Sequence, residues 1–123
     1  MRIPLLLVFG ALGTLARYGL DGWIQYRVGF KFPTGILAVN LLGCLLMGLI
    51  GQYGLRHAAL PPDWRIGLTT GLMGGFTTFS TFSWDAVHML EDGQWTKGSI
   101  YICASVLGGL IALITGIRIA DSL

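Results

Sequence analysis

Charged residues cut the chain into four apolar tracts. Ile3–Ala16, Thr34–Leu55, Ile66–Trp84 and Gly98–Ile117 carry no Asp, Glu, Lys or Arg, and the last three hold 22, 19 and 20 residues. Roughly 20 helical residues cross the hydrocarbon core of a bilayer. The first tract runs 14 residues before Arg17 interrupts it, yet it continues in apolar style to Tyr26. The pattern therefore predicts an all-α membrane protein, one domain over 1–123, with four transmembrane helices near 3–26, 33–56, 65–90 and 96–119. Short connections separate them. Phe32-Pro33 reads as a break and a new helix start, Pro61-Pro62 as a stop, and Asp92-Gly93 as a turn. A different reading makes Met1–Ala16 a cleaved secretory leader. It leaves three spans and places Arg17-Tyr18 beside the cut for no evident reason.

The third tract differs from the others. Gly71-Leu72-Met73-Gly74-Gly75-Phe76-Thr77-Thr78-Phe79-Ser80-Thr81-Phe82-Ser83 is rich in glycine and hydroxyls at its centre. Glycine weakens a helix, and freed backbone is tolerated at membrane depth only where protein buries it or it lines a cavity. The helix is expected to break at Gly74-Gly75-Phe76-Thr77. Its free carbonyls then either bind a cation or mark an ordinary kink.

Composition agrees with a membrane chain. Hydrophobic residues make up 54% and charged residues 11%, against about a quarter charged in soluble domains. Mean hydropathy is +0.70. The net charge of +2 and the lack of a basic cluster give no support to nucleic-acid binding. Cys44 and Cys103 stand inside apolar spans as small core residues. His57 and His88 lack metal spacing, and no nucleophile or Walker-type motif occurs, so an enzyme or an ATP-driven pump is not expected.

Candidate chemistry lies within the spans. Phe79 and Phe82, three apart, share a helical face. Aromatic rings carry a positive edge, so edges turned inward attract an anion, while hydroxyls of Thr78, Ser80 and Ser83 add donors. The alternative is that both rings pack on lipid or a helix. Asn40 is the one amide of the second span, and burying it without a partner costs a few kcal/mol. It either donates to an anion or bonds a neighbouring helix. Tyr101, Ser105, Gly108, Ala112 and Thr115 form a stripe on the fourth helix that suits a tight seam or a polar track. Arg17 either recruits anions to a vestibule or pairs with Asp21, and Asp85 lies one turn beyond Phe82. Gly48, Gly51 and Gly54 recur at spacing three, and Gly67, Gly71 and Gly75 at spacing four, which predicts close helix contacts.

These residues resemble the Fluc/CrcB fluoride channels. Gly10-Ala11-Leu12-Gly13-Thr14-Leu15-Ala16-Arg17-Tyr18 is similar to that family's first-helix motif, Asn40-Leu41-Leu42-Gly43 to its second, and Gly71–Ser83 to its third. The resemblance spans the whole chain. It implies an antiparallel, dual-topology homodimer with two pores, in the inner membrane of a bacterial or archaeal cell. It implies that Phe79 and Phe82 line the fluoride path by their ring edges and that Asn40 donates to the ion. It also implies that Tyr101 and Ser105 begin a polar track, with Thr78 and Ser80 on or near the pathway. Backbone carbonyls of Gly74 and Thr77 are implied to hold a structural sodium ion (Na+) where the two copies meet. Arg17 and Asp85 match vestibule or structural positions. Two departures stand out: Gly108-Gly109 replaces a hydroxyl common one turn past Ser105, and Asp85 stands where Glu is common.

The rival reading is a small dual-topology multidrug or cation exporter. Such proteins rely on a membrane-embedded Glu in the first helix, and this chain has no acid before Asp21. A second rival is a non-transporting accessory subunit. Lys and Arg are balanced between the two ends. Arg2, Arg56, Arg65 and Arg118 fall on one side, and Arg27, Lys31 and Lys97 on the other, with Arg17 leaning that way. Orientation follows Lys/Arg bias between loops, so insertion in both orientations is expected. A C-terminal tag should be reachable from both membrane faces in intact and opened vesicles; a tag found on one face only would contradict dual insertion.

Overall fold

The computed structural model describes residues 1–123 and is entirely helical, without strands. Helices α1 (Arg2–Val28), α2 (Thr34–Arg56) and α6 (Trp95–Asp121) are each long and apolar enough to cross a membrane. The third apolar tract forms a composite segment instead. It runs through α3 (Pro62–Ile66), a π-helical stretch (Gly67–Met73), α4 (Gly74–Phe76) and α5 (Phe79–Glu91). The boundaries extend the expected spans by one to three residues at most ends. The first tract, interrupted by Arg17, is one continuous 27-residue helix.

Local chemistry explains the punctuation. Gly29 adopts φ 91° after α1, a left-handed conformation that favours glycine. Gln25 ties that loop down: its Nε2 donates to Gly29 O at 2.7 Å and Phe32 O at 3.1 Å, and its Oε1 accepts from Gly35 N at 2.6 Å. Pro61 and Pro62 open α3, where a missing N–H does not matter. Thr69 Oγ1 donates back to Arg65 O at 2.7 Å, a bond that bends helices, beside the wide π turns. Gly93, at φ 79°, closes the turn before α6.

Two glycine seams hold the bundle. Gly67, Gly71 and Gly75 all face α1: a Cβ on them would meet Phe9 and Leu5, then Phe9, then Gly10 O at 2.6 Å. Gly13 answers from α1, since its Cβ would overlap the Leu72 carbonyl. Helices α2 and α6 pair along Gly48 and Gly116, where a Cβ would overlap Leu113 O and Leu45 O respectively. The spacing-three row does not act as one face. Gly51 has open space around it, and Gly54 meets Arg65 and Leu60. Three residues per step drift around a 3.6-residue helix, whereas steps of four nearly follow it.

A small apolar core of Ile36, Phe82, Ala86, Met89 and Tyr101 sits towards the end that carries the Gly29–Pro33 loop. Only 19 of 123 residues are buried, and Leu7, Leu12, Leu15, Leu107, Ile111 and Ile114 lie exposed on α1 and α6. That outer surface needs lipid or another chain to cover it, and the molecule is a multi-pass membrane protein. Charges gather at the ends. Arg2 pairs with Asp63 at 3.1 Å and Arg56 with Asp121 at 3.4 Å, joining chain positions that the sequence places on one side. Both pairs are exposed enough to contribute little.

Replacing Gly116 by Val should cost roughly 1–3 kcal/mol by forcing α2 and α6 apart, read as a lower unfolding midpoint in detergent. Gly51→Ala, with no atom within 4 Å, should melt as the wild type does. Equal midpoints for the two variants would contradict the seam.

Candidate functional site

The site is built around two residues that leave the helix. Thr77 (φ −90°, ψ 159°) and Thr78 (φ −148°, ψ 118°) are extended, between α4 and α5. The sequence pointed to Gly74–Thr77; the extended residues lie at the end of that tetrad and one position past it. Gly74 and Gly75 stay helical because Gly75 is pressed against Gly10 and Thr14 of α1.

Asn40 holds this peptide from α2. Its Nδ2 donates to Thr78 O at 3.0 Å and its Oδ1 accepts from Thr78 N at 2.8 Å. The pairing fixes the orientation of the amide, since the peptide N–H must meet oxygen and the peptide carbonyl must meet the NH₂ group. Of the two partners the sequence left open, a neighbouring segment is the one engaged. One Nδ2 hydrogen remains for a further acceptor. Thr78 in turn caps α5: its Oγ1 accepts from Thr81 N at 3.2 Å and donates to Thr81 Oγ1 at 3.2 Å. Ser80 Oγ lies 3.4 Å from Thr78 Oγ1, on the exposed side.

Backbone bonding around the interruption is redistributed. Met73 O accepts both from Thr77 N and from Thr77 Oγ1, each at 3.0 Å. Gly75 O accepts from Arg17 Nε at 3.1 Å. Arg17 therefore reaches from α1 to the interruption, and it makes no ion pair with Asp21. Thr81 and Gln25 are contributors that spacing alone did not single out; a hydroxyl three residues after a Thr at a helix start is the signal that could have found the first.

A groove of about 590 Å³ opens beside this peptide, between α2, α6 and the composite segment. It brings together Asn40, Gly74, Thr77, Thr78, Phe79, Phe82 and Ser105, with Cys44, Met47, Thr70 and Leu110 further along. No charged side chain lines it. Phe79 is 79% exposed and Phe82 8%, with ring centroids 5.6 Å apart and planes tilted by 52°. Ser105 Oγ is buried and has no hydrogen-bond partner, which leaves one donor in the groove wall without an acceptor.

A second cavity of about 450 Å³ lies towards the Gly29–Pro33 loop and is lined by Asp21, Lys31, Thr81, Asp85, His88 and Asp92 among others. Tyr101 stands between the two. It is fully buried, its ring lies 5.2 Å from that of Phe82, and its hydroxyl donates to Asp85 Oδ2 at 3.3 Å. Phe32 meets the Tyr101 ring edge-on at 5.6 Å. Thr81 and Phe82, neighbours on α5, line one cavity each. The stripe on α6 therefore splits. Tyr101 and Ser105 belong to the site, Gly108 packs on Leu41, and Thr115 Oγ1 bonds its own helix at Ile111 O, 2.8 Å. No group of three His, Cys, Asp or Glu side chains could hold a metal ion. A cation here could draw only on backbone oxygens and hydroxyls.

Known proteins are similar to this chain along its length. The family model described as CrcB-like protein, Camphor Resistance (CrcB), matches residues 4–117. A Syntrophotalea carbinolica protein named Fluoride-specific ion channel FluC is 46% identical over 123 residues, all of both chains. A Geobacter metallireducens protein of the same name is 46% identical over all of this chain and 99% of its own. One from Sorangium cellulosum is 43% identical over 93% of this chain and 90% of its own.

Proposed function

The chain belongs to the CrcB family, and from that membership we propose that it is a fluoride-selective channel that lets cytoplasmic fluoride leave the cell passively. The observation that carries the reading is the uncharged groove in which Asn40, Thr78, Phe79, Phe82 and Ser105 converge. Fluoride is small and tightly hydrated, so a pore must replace its water shell. Fixed cations would do so too strongly and trap the ion. Ring edges, one free amide hydrogen and an unpartnered hydroxyl offer positive ends without full charge. In this reading Phe79 and Phe82 line the path by their edges, Asn40 and Ser105 donate to the ion, and Thr78 and Ser80 border it. Tyr101 and Asp85 connect the groove to the polar cavity at the membrane edge, where Lys31 stands among the carboxylates of Asp21, Asp85 and Asp92. Hydrogen fluoride enters as a neutral acid and dissociates in a less acidic cytoplasm, so an outward fluoride gradient needs no ATP.

The groove is open along one side, and Phe79 stands exposed at membrane depth. A second copy would close it. The near-equal Lys/Arg count at the two ends supports an antiparallel homodimer inserted in both orientations, with two pores. Such a dimer brings two interruptions together about a twofold axis. The carbonyls of Gly74 and Thr77 are suited to a sodium ion there. A continuing helix would give them the N–H groups of Thr78 and Thr81, and those are held by Asn40 Oδ1 and Thr78 Oγ1. No side-chain donor takes their place, and Gly74 is exposed on the groove. Sodium would neutralise these oxygens and join the copies. The inner membrane of a bacterial or archaeal cell is the expected location.

Phe79→Ile and Phe82→Ile keep apolar bulk and remove the ring edges. Each should lower fluoride efflux from proteoliposomes by about threefold to tenfold, the effect of roughly 1 kcal/mol at one aromatic edge. Dimer yield on size exclusion should hold. Wild-type flux in both variants would remove the ring-edge mechanism.

A further inference from the structure

The carbonyls of Gly74, Gly75 and Thr77 lose their helical partners at the interruption, and they meet different fates. Gly75 O receives Arg17 Nε. Gly74 O loses the Thr78 N–H because Asn40 Oδ1 takes it at 2.8 Å. Thr77 O loses the Thr81 N–H because Thr78 Oγ1 takes it at 3.2 Å. That second diversion works only while Thr78 is extended, the conformation that Asn40 Nδ2 holds through Thr78 O at 3.0 Å. Both diversions therefore trace back to one carboxamide on α2. Without it, Thr78 N–H would fall back to Gly74 O and the helix would tend to close, since an unpaired carbonyl at membrane depth costs several kcal/mol.

We infer that Asn40 is a positioning residue for the cation site as well as an anion donor: its two bonds to Thr78 keep the Gly74 and Thr77 carbonyls open. The inference rests on the sodium reading given above and deepens it. One side chain then couples the two ions. Its oxygen and one Nδ2 hydrogen shape the carbonyl pair, and the other Nδ2 hydrogen faces the groove. A residue that served fluoride alone would leave the sodium dependence of the dimer untouched.

The test reads sodium rather than flux. Purified wild type, Asn40→Ala, Asn40→Asp and Phe82→Ile are melted in detergent while sodium replaces N-methylglucamine at constant ionic strength. Wild type and Phe82→Ile should share one sodium midpoint. Asn40→Ala loses both bonds, and its midpoint should rise roughly 10–100-fold, the usual penalty for losing a group that orients metal ligands. Asn40→Asp keeps an oxygen for Thr78 N–H. It gives up the Nδ2 bond to Thr78 O, so its sodium midpoint should also rise, by roughly threefold or more, while its fluoride efflux is lost. An unchanged midpoint in Asn40→Ala would overturn the inference and leave the sodium site standing. A wild type indifferent to sodium would instead remove the cation reading itself, and this inference with it. If Asn40→Ala yields no folded dimer, Asn40→Asp decides alone: a raised sodium midpoint supports the coupling, and a wild-type midpoint overturns it.

Discussion

A peptide group that leaves its helix inside a bilayer must find partners for both its N–H and its C=O, because no water is there to serve them. At Thr78 a single Asn40 side chain meets both needs. The rest of the site follows from that pair of bonds. With Thr78 pinned and extended, its hydroxyl is free to cap α5, so the helix restarts at Phe79. The restart sets the heading of Phe79 and Phe82, which fall beside Asn40 in one groove. The glycine seam with α1 brings the composite segment close enough for Arg17 to reach Gly75 O. Small residues at the seams let helices approach closely, so a short chain can bring Arg17 and Asn40 within reach of the interruption.

Electrostatics and packing divide the molecule along its length. The central groove carries dipoles and ring edges but no formal charge. Apart from Arg17, which bonds Gly75 O, formal charges sit towards the ends, paired across helix termini at one and gathered around the polar cavity at the other. Tyr101 joins the two regimes, with its ring in the core and its hydroxyl on Asp85. An ion moving from cavity to groove would exchange water and charged neighbours for donors of graded, weaker field. That gradation suits binding that remains reversible.

Much of this was legible in the sequence. Runs without charge marked three long apolar helices to within a few residues, because bilayer thickness fixes helix length, and the third run became a composite segment. The four-residue glycine row marked a close helix contact, since steps of four stay near one helical face, and the fold supplies α1 as its partner. What spacing could not supply was the partner across the gap. Asn40 had to bond something, but only the fold pairs it with Thr78. Arg17 was read either as a vestibule cation or as a partner of Asp21 on its own helix, whereas it bonds a carbonyl 58 positions away. Thr115 matched a polar stripe by spacing, yet its hydroxyl turns back to its own helix, an option open to any Thr in an apolar span. The row Gly48, Gly51, Gly54 failed as a seam because three-residue steps rotate off the contact.

The central claim is that an uncharged groove at a pinned interruption carries fluoride and rejects larger halide. It is tested most directly by a fluoride electrode beside liposomes holding the purified protein and loaded with fluoride or chloride. The account predicts rapid fluoride release on dissipating the membrane potential, with chloride release no faster than from empty liposomes. Fluoride retained as well as in protein-free vesicles, or chloride leaving at the same rate, would contradict it.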